Sequence, residues 1–138
     1  EENIRRHQVL NMTAEQWDAR VSDKGSIGKA DVVIADLPCS GLGVLRKKPD
    51  IKYRMQPEDI KSLIALQREI LSTVHQYVKP GGRMIYSTCT IDAGENEENV
   101  AWFIANHKEF ELESMEQILP DELGSDGFFI ARLRKQNV

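Results

Sequence analysis

The stretch Ala30-Asp31-Val32-Val33-Ile34-Ala35-Asp36-Leu37-Pro38-Cys39-Ser40-Gly41 decides how this chain is read. Its first six residues form a short, continuous apolar run, the pattern of a strand covered on both faces. A second run, Arg83-Met84-Ile85-Tyr86, leads in the same way into Ser87-Thr88-Cys89-Thr90. Between them Ile60, Leu63, Ile64, Leu71, Val74 and Val78 recur at three- and four-residue steps, the apolar stripe of one long helix. Strand, helix, strand is a βαβ unit, whose two strands lie parallel and side by side. Both loops then leave the same carboxyl edge of the sheet, where open α/β folds hold their ligand crevices. The only two cysteines of the chain, Cys39 and Cys89, are therefore expected to face each other across one cleft.

Outward from this core the signals are weaker. Pro57, with Glu58 and Asp59 beside it, opens the helix, because proline needs no N–H partner in a first turn and acids suit its positive end. Lys79-Pro80-Gly81-Gly82 stops it. Upstream, 1–10 reads as a short helix, 12–17 as an edge-like strand delivering Asp18 at its carboxyl end, and 22–29 as a surface loop. Downstream, 95–107 reads as a helix whose first turn is crowded with acids, and 110–115 as an alternating strand. Residues 120–125 form a loop and 127–133 a final strand; so short a connection leaves no room for a crossover helix, so these two strands pair antiparallel. The expectation is one α/β domain, with a mostly parallel sheet and an antiparallel finish.

Composition bounds the function. The 138 residues are 41% hydrophobic, enough for one ordinary core, and the formal net charge of −4 advertises no global polycation. A local basic groove remains compatible with that total. No apolar run approaches the roughly 20 residues of a membrane span. Two cysteines without metal-ligand spacing point away from a zinc site or a disulfide scaffold and fit a reducing, cytoplasmic setting, with no metal and no membrane partner expected. The opening Glu1-Glu2-Asn3 already resembles helix, as in a fragment.

A cysteine acts as a nucleophile only as thiolate, so its surroundings must favour the anion. Residues alone leave three readings of Cys39 and Cys89: small buried hydrophobes, a reactive pair in a crevice with Asp36, or a redox couple. Two cysteines in Pro-Cys-Ser-Gly and Ser-Thr-Cys-Thr, both beyond ends of adjacent strands, favour the reactive pair.

These motifs resemble those of the RNA cytosine-C5 methyltransferases, which use S-adenosylmethionine. Asp36-Leu37-Pro38-Cys39-Ser40-Gly41 is similar to that family's Asp-Ala-Pro-Cys-Ser-Gly, and Ser87-Thr88-Cys89-Thr90 to its Ser-Thr-Cys-Ser. Gly43 through Arg54, Pro80-Gly81-Gly82, Glu95-Asn96-Glu97 and Asp126-Gly127-Phe128-Phe129 fit as well, so the likeness spans nearly the whole chain. It is strongest toward the bacterial Sun/Fmu type, which modifies 16S ribosomal RNA. The resemblance implies a Rossmann-like class I methyltransferase fold and a Cys89 nucleophile that adds to C6 of a flipped-out cytosine. Cys39 would assist product release. Asp36 would contact the base and the cofactor's methionine end, and Asp18 the adenine amino group. Covalent activation suits the chemistry, since C5 of cytosine is a poor nucleophile and the base must leave its stack to react.

Leu37 and Thr90 depart from the family's Ala and Ser. The glycine-rich cofactor loop and the amino-terminal RNA-binding region have no counterpart here, so 1–138 is expected to be the carboxyl-terminal part of one catalytic domain, inactive and weak in cofactor binding by itself. Arg46, Lys47 and Lys48 are balanced between a solvated loop and contacts to RNA phosphates. Phe128 and Phe129 read as core of the last strand, Trp17 and Trp102 as packing residues, and His7, His75 and His107 as isolated surface or helix-end residues. Glu95 through Glu98 read as a first turn favoured by the helix dipole. Alternatives are a methyltransferase for transfer RNA or another ribosomal RNA, and a non-catalytic RNA-binding module on the same fold.

Overall fold

Four strands form one mixed sheet in the computed structural model, which describes residues 1–121 and 124–137. β1 (Ala30–Asp36), β2 (Val78–Thr88), β3 (Phe110–Ile118) and β4 (Phe128–Lys135) lie in the spatial order β1-β2-β4-β3. β1 and β2 are parallel, with Ile34 opposite Ile85 and Asp36 opposite Ser87, as the βαβ reading requires. β4 runs antiparallel to β2 and to β3 and lies between them. The antiparallel pairing of the last two strands is the expected one. Their insertion is new: the chain lays β3 at the far edge first, then returns through β4 into the gap.

The helices are α1 (Glu2–Arg6), α2 (Ile51–Arg54), α3 (Pro57–Val74) and α4 (Glu97–Asn106), with a 3-10 turn at His75–Tyr77. α3 starts where the sequence places it. Pro57 occupies its first turn, and the Gln56 N–H donates to the Asp59 carboxylate at 2.9 Å, half of a capping box. Leu71 of α3 and Val100 and Phe103 of α4 pack onto Met84, Tyr86 and Phe129 of the sheet, all fully or nearly fully buried. Burying such side chains contributes about 1.5–3 kcal/mol each, which is what holds both helices to this face.

Several expectations change. β1 is covered on one face only: Val33 and Ala35 turn to the core, while Ile34 on the other face is 72% exposed. Residues 12–17 form no strand, since no neighbour supplies the ladder bonds a strand needs, and Asp18 therefore sits in a turn rather than at a strand end. Trp17 is largely exposed, with its indole N–H donating to the Val21 carbonyl at 2.7 Å. α1 spans five residues, shorter than the 1–10 reading. α3 ends at Val74, and Val78 opens β2 instead of closing the helix. Lys79 to Gly82 lie inside β2, where a register shift opposite Ala30 to Val32 absorbs the extra residues. α4 begins at Glu97, two residues later than expected. β3 and β4 run on to Ile118 and Lys135. Of the 120–125 loop, residues 122 and 123 lie outside the described residues. Among the described residues no helix is long and apolar enough to cross a membrane.

Candidate active site

The register of β1 and β2 sets the site. Pairing Asp36 with Ser87 carries both chains out of the sheet at the same level, and the two loops stay together beyond it. The Leu37 N–H donates to the Ser87 carbonyl at 3.3 Å, and the Gly43 N–H to the Cys89 carbonyl at 3.0 Å. Cys39 Sγ and Cys89 Sγ lie 3.1 Å apart, and the Cys89 N–H donates to Cys39 Sγ at 3.3 Å. Both are free thiols, half-buried. Burial pushes the Cys39 thiol up to about 12, with the hydrogen bond to Cys89 acting in the same direction. Cys39 therefore keeps its proton at neutral pH.

What holds the two loops is a buried polar network that sequence reasoning missed. Glu95, assigned above to a dipole-favoured first turn, is fully buried between the loops. Its carboxylate accepts the Ser40 N–H at 2.9 Å, the Ser40 hydroxyl at 2.5 Å and the Gln67 amide at 2.9 Å. Gln67, from the middle of α3, also donates to the Pro38 carbonyl at 2.8 Å, so the helix holds the cysteine loop directly at Pro38 and through Glu95 at Ser40. Ser40 Oγ meets Thr90 Oγ1 at 2.7 Å, and the Tyr86 hydroxyl donates to the Glu95 carbonyl. On the far side, Asn96 accepts from Thr88 Oγ1 at 2.6 Å and donates to the Thr90 carbonyl at 3.0 Å. A network satisfied to this degree fixes its members' geometry, because breaking it strands a buried charge. No periodic pattern signals its burial; Glu95 is marked only by the Glu95-Asn96-Glu97 likeness and by proximity to Cys89 in sequence.

Gly43 shows how closely the cleft is built. A Cβ there would fall 2.4 Å from the Gly127 carbonyl oxygen and 2.8 Å from that of Cys89. The Gly127 N–H donates back to the Gly43 carbonyl at 2.8 Å, joining the loop after β1 to the start of β4.

The other expected site residues are partly assembled. Asp36 ends β1, exposed, and accepts the Ser87 hydroxyl at 3.1 Å. Asp18 does not reach the cysteine cleft. It is exposed and ion-paired with Arg20 at 2.7 Å, and the hydrogen bond from that guanidinium lowers its carboxyl to about 2. Of the basic triplet, Arg46 pairs with Asp121 at 2.8 Å and Lys47 with Asp126 at 2.6 Å, while Lys48 is exposed. Phe129 is wholly buried and Phe128 half-buried. His7 is exposed as expected, but His75 and His107 are not isolated: their rings lie 4.1 Å apart, beside Glu109, at the opposite edge of the sheet.

A parallel pair extended by an inserted antiparallel strand, here with both cysteines beyond the carboxyl ends of the parallel strands, is part of a Rossmann-like α/β methyltransferase fold, and a solved methyltransferase homologue from Pyrococcus horikoshii superposes on it. The chain belongs to the 16S rRNA methyltransferase RsmB/F family, whose model matches residues 1–134. It is 40% identical to a Bacillus subtilis (strain 168) protein named "Probable ribosomal RNA small subunit methyltransferase B", an alignment covering 89% of this chain and 32% of that one. The crystal structure of PH0851 superposes with a TM-score of 0.93 at 33% identity, over 97% of this chain and 33% of that one. NSun6 from Pyrococcus horikoshii, solved with SFG, superposes with a TM-score of 0.78 at 30% identity, over 97% and 37%. The chain thus spans about a third of the length of the relatives it matches.

Proposed function

We propose that this chain is the carboxyl-terminal part of the catalytic domain of a cytoplasmic S-adenosylmethionine-dependent enzyme that methylates C5 of a cytosine in 16S ribosomal RNA through a covalent Cys89–C6 adduct. The observation that carries the reading is the 3.1 Å approach of Cys39 Sγ and Cys89 Sγ beyond adjacent parallel strands. In support, the chain belongs to a family named for 16S rRNA methylation.

Cys89 attacks C6 of the extruded base, forming the S–C6 bond and moving electron density to C5. S-adenosylmethionine, when bound, supplies the electrophilic methyl group that C5 takes. Loss of the C5 proton to solvent water then drives out the Cys89 thiolate and restores the aromatic ring. Cys39, protonated because its thiol is raised to about 12, donates its S–H to that departing sulfur and so favours release. Asp36 accepts from the amino edge of the base or from the cofactor's methionine end; its exposed carboxylate with Ser87 as hydrogen-bonding neighbour fits that use. Asp18 is an ionised acceptor suited to an adenine amino group once Arg20 releases it. Arg46, Lys47 and Lys48 contact RNA phosphates; the exposed ion pairs of the first two are worth little and exchange readily for phosphate.

The test uses the full-length protein with S-adenosylmethionine and 16S ribosomal RNA carrying 5-fluorocytosine. Fluorine at C5 blocks the proton loss, so the expected result is a denaturant-resistant protein–RNA adduct, absent in Cys89→Ala and retained in Cys39→Ala. Intact RNA binding without any adduct would instead make the chain part of a non-catalytic RNA-binding protein.

A further inference from the structure

At the edge of the sheet opposite the cysteines, three chain ends converge. His75 lies in the turn between α3 and β2, His107 caps α4, and Glu109 directly precedes β3. One nitrogen of each ring and one oxygen of the carboxylate all lie within 4.8 Å of one another. His75 Nε2 is 3.7 Å from Glu109 Oε1, and His107 Nδ1 is 3.9 Å from the same oxygen. None of these separations is a hydrogen bond.

The tautomer of His75 follows from its other nitrogen. Nδ1 lies 3.1 Å from the Leu71 carbonyl oxygen, which only accepts, so Nδ1 carries the proton and Nε2 presents a lone pair toward Glu109. An imidazole lone pair and a carboxylate oxygen, two acceptors, then face each other across a gap, which a cation between them would resolve. The Nδ1–H to carbonyl bond is also how metal-binding histidines are commonly oriented. Packing fixes the rings further: Phe103 and Phe110 stand edge-on to His75 at 5.9 and 6.1 Å, and His107 lies 4.4 Å from Phe103. Burial holds both imidazoles below their ordinary range, hence neutral and able to ligate. Lys135, the cation felt by His75, donates to the Val78 carbonyl at 2.9 Å, and the Glu109 carboxylate opposes its charge at the rings.

We propose that His75 Nε2, His107 Nδ1 and Glu109 bind one zinc-class divalent transition-metal ion that clamps the ends of α3 and α4 to the start of β3. Two imidazoles and one carboxylate suit zinc or cobalt, with water at the fourth position. Ligands about 2.0–2.1 Å from a tetrahedral ion lie about 3.3 Å apart, so the cluster must contract. Glu109, whose side chain is 43% exposed, has the freedom to close it. The site is remote from the proposed chemistry, does not depend on it, and revises the sequence-based expectation of no metal.

The experiment titrates Zn2+ into the chelator-stripped full-length protein carrying Cys39→Ser and Cys89→Ser, which removes the two thiols of this chain. Expected are one equivalent of bound Zn2+, a rise of several degrees in Tm, and affinity at least tenfold weaker in His75→Gln, His107→Gln and Glu109→Gln. Glu109→Gln changes a half-exposed side chain and leaves the packed rings in place, so it tests the site even where a histidine variant fails to fold. Co2+ at the site gives visible d–d bands without a thiolate charge-transfer band. The proposal is overturned by no Zn2+ binding below millimolar, by binding that survives Glu109→Gln unchanged, or by binding lost on replacing the cysteines alone.

Discussion

Cys39 and Cys89 are chemically identical residues made different by their surroundings. Cys39 is held neutral by burial and by its hydrogen bond to the other sulfur. The consequence for stability has a definite sign. The folded thiol keeps its proton up to about 12, whereas the unfolded one loses it near its ordinary 9.0. Its contribution is fully present below pH 9 and fades as the pH rises from 9 toward 12. Tyr86, also raised by burial, adds a fall of the same sign above pH 10. Thermal melts from pH 8 to 11 should show this decline, shallower in Cys39→Ser; identical slopes would mean that Cys39 is not held neutral. Glu95 is the second residue with a decisive environment. Glu95→Ala orphans the buried Ser40 N–H and takes one partner each from the Ser40 hydroxyl and the Gln67 amide, a loss of about 3 kcal/mol. Urea unfolding measures it, and a loss under about 1 kcal/mol would show that water replaces the carboxylate without cost.

At the scale of elements, β1, α3 and β2 are legible because each carries a periodic signal and a chemical stop. The segments that failed are those whose state depends on a neighbour. Residues 12–17 alternate like a strand but have no ladder partner, and 79–82 carry the punctuation of a helix end yet pair inside β2. The loop bearing Arg46, Lys47 and Lys48 is tethered to the β3–β4 connection through Asp121 and Asp126. If that loop meets RNA phosphates, a triple alanine variant of the full-length protein should lower the log–log salt dependence of RNA affinity by about 2. An unchanged slope would assign the triplet to solvent.

Across the whole molecule, both packed helices lie on one face of the sheet and leave the other to water. Ile34 and Val32 stand exposed on β1, at 72% and 53%, beside a strand edge with no partner among the described residues. Such an edge templates self-association. The isolated 138-residue chain should therefore show a concentration-dependent mass in light scattering, reduced by Ile34→Lys; a monomer at high concentration would show the edge to be protected.

Sequence by itself determined the βαβ unit, the parallel pairing that sends two loops to one edge, and the two cysteines those loops carry, because hydrophobic period and turn chemistry are local properties. Tertiary structure alone decided the insertion of β4, the burial of Glu95 between the loops, the burial that raises the Cys39 thiol and the meeting of His75, His107 and Glu109. Each of these depends on residues far apart in the chain, whose proximity only the packed sheet creates.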